Sequence, residues 1–193
     1  MKIEHTKEFE LAYKFITETN ENIFLTGKAG TGKTTFLKYV RQNSIKKNVV
    51  AAPTGVAAIN ANGVTLHSLF QLPLGIILPD LMFDINSDFS KYHRPLISKL
   101  NYRQEKLDLL RSIELLIIDE ASMLSSYLLD AIDIILRYVR KKFDSPFGGV
   151  QLLFIGDLHQ LPPVVKREDW EILREYYSSI FFSTVLSCEI IYQ

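Results

Sequence analysis

Only one cysteine, Cys188, occurs in the 193 residues. It can build neither a disulfide framework nor a cysteine metal site, and a reducing, cytoplasmic compartment is the expected setting. Net charge is missing too: 22 Lys plus Arg balance 22 Asp plus Glu. That disfavours a domain whose main task is gripping nucleic-acid backbone by bulk charge, but leaves room for a local contact strip. There is no long hydrophobic run. The oiliest stretch, residues 72–83, is too short and too broken by proline to cross a bilayer. The first ten residues, MKIEHTKEFE, are charged and have no apolar signal core. No membrane partner is expected. His5, His67, His93 and His159 are scattered, which excludes a histidine–cysteine metal centre. Internal repeats and low-complexity tracts are also absent.

What is present is ordinary for a folded domain. Hydrophobic residues make up 47% of the chain, enough for a sizeable core, and the length suits one α/β domain over 1–193. Phe9, Ala12, Tyr13 and Ile16 recur at helical spacing and predict a helix from Thr6 to Asn20. Short apolar runs at 22–26, 49–52, 115–118 and 151–155 predict strands. Helical patterns fill 33–42, 98–113, 125–143 and 170–177. Residues 71–95 lack a sustained period and read as an irregular excursion, 144–149 as a turn, and 180–186 as an extended segment. Wholly apolar strands alternating with helices indicate a mainly parallel sheet covered on both faces, with ligands at the carboxyl ends of the strands.

Gly27-Lys28-Ala29-Gly30-Thr31-Gly32-Lys33-Thr34 matches the phosphate-binding pattern G-x-x-x-x-G-K-[ST] in full, between a strand and a helix. Its glycines let backbone N–H groups curl around phosphate oxygens, and the helix N-terminus adds its dipole. Lys33 would reach the outer phosphates and Thr34 would place its hydroxyl on Mg²⁺. The candidate nucleotide-binding residues are therefore Gly27, Ala29, Gly30, Thr31, Gly32, Lys33, Thr34 and Thr35.

Asp119 and Glu120 follow the apolar run 115–118. Asp119 suits Mg²⁺, through a water. Glu120 suits orientation and deprotonation of an attacking water, which favours hydrolysis over transfer to an acceptor. Because side chains alternate in direction at a strand end, adjacent acids there can take separate tasks.

Further motifs carry a family resemblance. Residues 156–164, GDLHQLPPV, resemble the G-D-x-x-Q-L-P-P-V element of superfamily 1B DNA helicases, a group that includes RecD and the petite-integration-frequency (PIF-type) helicases. Residues 52–58 (APTGVAA) with 65–69 (TLHSL) resemble that family's single-strand contact motif. Residues 119–124 (DEASML) resemble its acidic motif, and 146–151 (PFGGVQ) its PIF-type branch. The resemblance implies an RecA-like ATPase domain using ATP and Mg²⁺, the first motor domain of a 5′-to-3′ helicase. It implies that Gln160 contacts the γ-phosphate, that Asp157 tunes the acidic network, and that Pro162-Pro163 link the nucleotide site to a DNA track. It implies single-stranded DNA contacts from Pro53, Thr54, Gly55, Thr65, His67 and Ser68. Short hydroxyl and backbone donors of this kind suit phosphates without reading sequence. Helix capping by Thr54 and Thr65, with a packed His67, is the other reading of the same residues.

Two departures from the family pattern stand out. Glu10 occupies the slot of an adenine-recognising glutamine; a carboxylate accepts from the N6 amine but cannot donate to N7. The sequence also stops at Gln193, before the family's arginine finger and second RecA-like domain, so feeble hydrolysis and no unwinding are expected of this chain alone. A nucleotide-dependent switch without helicase activity is the alternative. A small-molecule kinase, with Arg167 and Arg174 as lid residues, is a weaker one.

Overall fold

The computed structural model describes residues 6–78, 96, 100–157, 160, 162–163, 165–179 and 189–192. In chain order the main elements are α1 (Lys7–Glu18), β1 (Ile23–Thr26), α2 (Lys33–Asn43), β2 (Asn48–Ala52), α3 (Gly55–Asn60), β3 (Val64–Thr65), α4 (Leu66–Phe70), α5 (Gln104–Ser112), β4 (Leu115–Ile118), α6 (Ser126–Arg140), β5 (Gln151–Gly156), α7 (Arg167–Leu173) and β6 (Glu189–Tyr192). The strands form one sheet in the order β3-β2-β4-β5-β1-β6. Every neighbouring pair is parallel. This is the RecA-like α/β architecture the sequence predicts.

Apart from end positions such as Thr26, Asn48 and Gln151, the central strands are apolar because both faces of the sheet are covered. Their side chains alternate into two cores. Phe24, Leu116, Ile118, Leu152 and Phe154 face α4, α5 and the long α6, meeting Leu66, Leu110, Leu128, Ile132 and Ile135. Ile23, Leu25, Leu115, Ile117, Leu153 and Ile155 face α1 and α2, meeting Phe9, Ile16, Phe36 and Val40. Phe9 of α1 packs edge-on against Phe36 of α2, with ring centroids 4.9 Å apart. The helix carrying the phosphate motif is thereby fixed to α1. Among the described residues no helix is long and apolar enough to cross a membrane.

Several boundaries differ from the sequence reading. The helix expected over 98–113 is described only as α5, from Gln104 to Ser112. The helix expected at 170–177 begins three residues earlier, where Glu168 and Asp169 complement the N-terminal dipole, and closes at Leu173. The turn at 144–149 contains a 3-10 segment, Pro146–Gly149, with Phe147 and Gly148 in left-handed conformations. Strands β3 and β6 were not expected, and helices α3 and α4 were expected only in the capping reading of Thr54 and Thr65; all are short, and too little periodicity accumulates over two to six residues to announce them. The extended reading of 180–186, His5, His93, His159, Cys188 and most of the excursion at 79–95 lie outside the described residues.

Candidate active site

The phosphate loop leaves the carboxyl end of β1 and enters α2 at Lys33. Gly30 and Gly32 have φ of 84° and 98°, conformations open to glycine and costly for other residues. A Cβ built at either would find no atom within 4 Å, so it is the backbone conformation and not crowding that favours glycine there. Gly32 caps α2 without a side-chain hydrogen bond, which leaves first-turn amides uncapped by any side chain. The Lys33 ammonium donates to the carbonyls of Gly27 at 2.5 Å and Lys28 at 2.8 Å. The Thr31 hydroxyl donates to Lys28 O at 3.0 Å and folds into the loop. Ala29, Thr34 and Thr35 are exposed.

Two strands away, the Asp119 amide donates to Ala51 O at 2.9 Å and extends the β4–β2 ladder one residue past Ile118. Glu120 then turns left-handed (φ 52°, ψ 44°) into a 3-10 turn, Ala121–Met123. This corrects the sequence argument: the two carboxylates are separated by a reversal of the backbone and not by strand alternation. Asp119 titrates above its usual range, chiefly because it is buried and further because Glu120 is charged. A hydrogen bond from the Glu120 backbone and the Lys33 charge pull the other way. Lys33 and Asp119, far apart in sequence, therefore act on each other electrostatically.

Strand β5 lies between β1 and β4 and ends at Gly156, paired with Thr26. Asp157 follows, only 8% exposed. Gln160 donates its backbone N–H to Asp157 O at 3.0 Å, and its side-chain amide lies 3.4 Å from Asp157 Oδ2, at the long limit of a hydrogen bond. Gln160 is exposed and Pro163 buried. Leu158, Leu161 and Val164 of the same motif lie outside the described residues.

The residues assigned to single-strand contact gather at the ends of β2 and β3, which pair at Ala52 and Thr65. Thr54 Oγ1 accepts from Ala57 N at 3.3 Å, and Thr65 Oγ1 accepts from Ser68 N at 3.1 Å. The capping reading therefore holds. It does not use up these groups, since a hydroxyl that accepts still has its proton to donate. Pro53 and Thr54 are half-buried and Gly55 is exposed, with nothing within 4 Å of its Cβ position. Ser68 is exposed, while half-buried His67 has its pKa lowered by burial.

All these loops lie on one edge, with β1, β5 and β4 on one side and β2 and β3 on the other. At about 4.8 Å per strand, β2 stands roughly 14 Å from β1. Glu10 is not drawn into this group by any contact: it is exposed on α1, beside the Phe9 that packs on α2. Sequence reasoning did not single out Gly156 as a contact position. A Cβ there would stand 3.1 Å from the amide nitrogens of Ala121 and Ser122. Ser122 itself is buried, and its Oγ is without a hydrogen-bond partner.

A family model for PIF1-like helicases matches residues 2–181. The chain is 35% identical over 179 residues to the ATP-dependent DNA helicase RRM3 of Saccharomyces cerevisiae, covering 90% of this chain and 23% of that protein. It is 40% identical over 166 residues to the ATP-dependent DNA helicase PIF1 of the same species, covering 83% and 18%. Two crystal structures of Bacteroides Pif1, one bound to single-stranded DNA and one in complex with ADP-AlF4, each superpose with a TM-score of 0.85 at 45% identity. Each covers 99% of this chain and 42% of the solved one. The chain thus spans about a fifth of the length of these curated relatives.

Proposed function

The chain belongs to the PIF1-like helicase family, and we propose that it is the nucleotide-binding motor domain of an ATP-driven 5′-to-3′ DNA helicase. The observation that carries this reading is the arrangement along one sheet edge. The open phosphate loop, the acidic turn and Gln160 stand beside one another at β1, β4 and β5, and the threonine-capped helix ends stand at β2 and β3.

Each residue then has a task. The uncapped amides of the loop and α2 hold the phosphates, and Lys33 exchanges the carbonyls of Gly27 and Lys28 for phosphate oxygens. Thr34 and Asp119 are the residues that would hold Mg²⁺. The donor set fits, because Thr34 is exposed at the first turn of α2 and Asp119 is a half-buried carboxylate that would gain from a neighbouring cation. When bound, the ion supplies neutralisation of charge on the phosphate oxygens. No cluster of three acidic, histidine or cysteine ligands exists among the described residues, as suits an ion that shares its coordination with phosphate. Glu120 orients water and accepts its proton. Gln160, loosely tied to Asp157, is free to turn toward the terminal phosphate. Thr54, Thr65, Ser68 and the exposed backbone at Gly55 donate to phosphates of a single strand. The arginine that completes the charge balance would come from a second RecA-like domain.

The test is binding of a fluorescent ATP analogue with Mg²⁺ to wild type and Lys33→Ala, with and without a single-stranded oligonucleotide. Binding lost in the variant and strengthened by DNA is expected. Wild-type binding indifferent to DNA would overturn the coupled DNA face, and no binding at all would overturn the motor-domain reading.

A further inference from the structure

At the far end of α6 the structure holds a cavity of about 460 Å³, lined by Arg111, Val139, Arg140, Lys141 and Lys142. Helix α6 starts beside the carboxyl end of β4 and runs 15 residues back across the sheet. At 1.5 Å per residue, its end lies about 22 Å from its start. The cavity is therefore at the amino ends of the strands, on the opposite side of the domain from the nucleotide loop and the threonine row.

The four cations do not share one role. Arg140 is structural: its Nε donates to Gly148 O at 2.8 Å, and its Nη1 donates to the carbonyls of Arg111 and Ile113. It ties the end of α6 to the chain entering β4 and to the 3-10 segment before β5. Arg111 is half committed, donating Nε to Val139 O at 3.1 Å. Its pairing with Asp108, at 3.6 Å between two largely exposed groups, is worth little. Glu114 also acts on Arg140, but its Oε2 accepts from the Lys47 amide on the β2 side. Lys141 and Lys142 are exposed and past the last helical turn, and among the described residues no hydrogen bond or ion pair ties down either ammonium. Cations in the last turn of a helix are ordinary dipole partners, and that explains Arg140. It does not explain two further ammoniums beside a concave surface in a protein of zero net charge.

We propose that this cavity is a second phosphate-binding site for single-stranded nucleic acid, in which Lys141 and Lys142 hold the backbone of a segment beyond the one lying on the Thr54 and Thr65 row. The occupant follows from two observations. Tyr138, 46% exposed and next in sequence to the cavity-lining Val139, offers a flat ring of the kind on which unpaired bases stack. Arg140 holds the cavity walls in place, so the site is formed before the strand arrives. The proposal rests on the motor-domain reading, since the strand must already be engaged at the first row.

The experiment uses the chain with Lys141→Asn and Lys142→Gln together, against a control of equal charge change, Lys14→Gln with Lys38→Gln. Asparagine suits position 141, where φ is 55°. Affinity for a short and a long oligothymidylate, and for a duplex, is measured across a salt series. The expected result is a several-fold loss for the long strand only, with a salt dependence shallower by about 1.4 in log–log slope for two lost phosphate contacts. The control variant and ATP-analogue binding are unchanged. Equal losses for short and long strands, no loss, an equal loss in the control, or a loss confined to the duplex would overturn the proposal. If wild type binds no oligonucleotide, the motor-domain reading's DNA face fails as well; if it binds the short strand and the variants match it throughout, only this site fails.

Discussion

Gly156 lies so close to Ser122 that a methyl group on it would stand 3.1 Å from the Ser122 amide nitrogen and as close to that of Ala121. The end of β5 is therefore pressed against the turn that carries the two carboxylates. For Gly156→Ala the backbone of that turn must yield by a few tenths of an ångström. Overpacking of this size costs about 1–3 kcal/mol. The expected outcome is a folded protein with a lower Tm, nearly normal ATP-analogue binding and a much larger loss of hydrolysis. Parallel losses in binding and hydrolysis would show that the contact serves only the fold.

Thr54 and Thr65 each cap a helix with a side-chain oxygen. Thr54→Ala and Thr65→Ala should each cost about 1 kcal/mol of stability, read by denaturant titration. Serine at either position keeps both the cap and the hydroxyl proton, so Thr→Ser should restore stability and oligonucleotide binding together. Binding that stays weak in the serine variants would assign the contact to the threonine methyl group instead.

Burial lowers the pKa of His67 and so favours its neutral ring. The contact proposed for it with a strand would then be a hydrogen bond without counterion release, and His67→Gln should change affinity while leaving the salt slope intact. The sign of its effect on stability also follows. The folded state resists protonation and the unfolded state does not, so stability is full above the ordinary histidine value of 6.5 and falls as pH drops through the lowered native pKa. His67→Gln should flatten that part of a Tm-against-pH curve; an unchanged curve would contradict the assignment.

Tyr177 donates its hydroxyl to Asp130 Oδ2 at 2.8 Å, and the Ser126 hydroxyl donates to Ser179 O at 3.0 Å. These bonds fasten the chain after α7 to α6. Burial raises the Asp130 pKa, and the Tyr177 bond moderates the rise. As pH climbs from the ordinary aspartate value of 3.8 through the raised native one, the unfolded state releases its proton first and stability falls. Tyr177→Phe removes the moderating donor. It should lower stability by about 1–3 kcal/mol where Asp130 is ionised, and carry the fall to higher pH. A loss of equal size at every pH would mean that only packing had changed.

Much of this molecule is legible in one dimension, for reasons specific to its parts. The strands read at 115–118 and 151–155 are legible because burial on both faces demands runs of apolar residues, Leu115–Ile118 in one and Leu152–Ile155 in the other. Helix α6 reads clearly because 15 residues give a hydrophobic stripe room to repeat. Helices α3 and α4, at six and five residues, are held by their threonine caps and by the neighbouring ends of β2 and β3, and their sequence pattern is too brief to show it. Glu120 illustrates a different limit. Its left-handed backbone is fixed by the 3-10 turn beneath Gly156, and nothing in the letters Asp-Glu distinguishes that from a strand continuing outward.

The sequence by itself determined the chemistry available: a glycine-rich loop ending in Lys33 and Thr34, two acids after an apolar strand, a glutamine after another, and threonines placed to cap helices. Each of these is a local matter of backbone freedom, side-chain type and spacing within a few residues. Tertiary structure alone decided which of them meet. The order β3-β2-β4-β5-β1-β6 brings Lys33 within electrostatic reach of Asp119, sets Gly156 against Ser122, and carries the Lys141–Lys142 end of α6 to the opposite side of the sheet. Those distances follow from strand pairing between segments far apart in the chain, which no local pattern specifies.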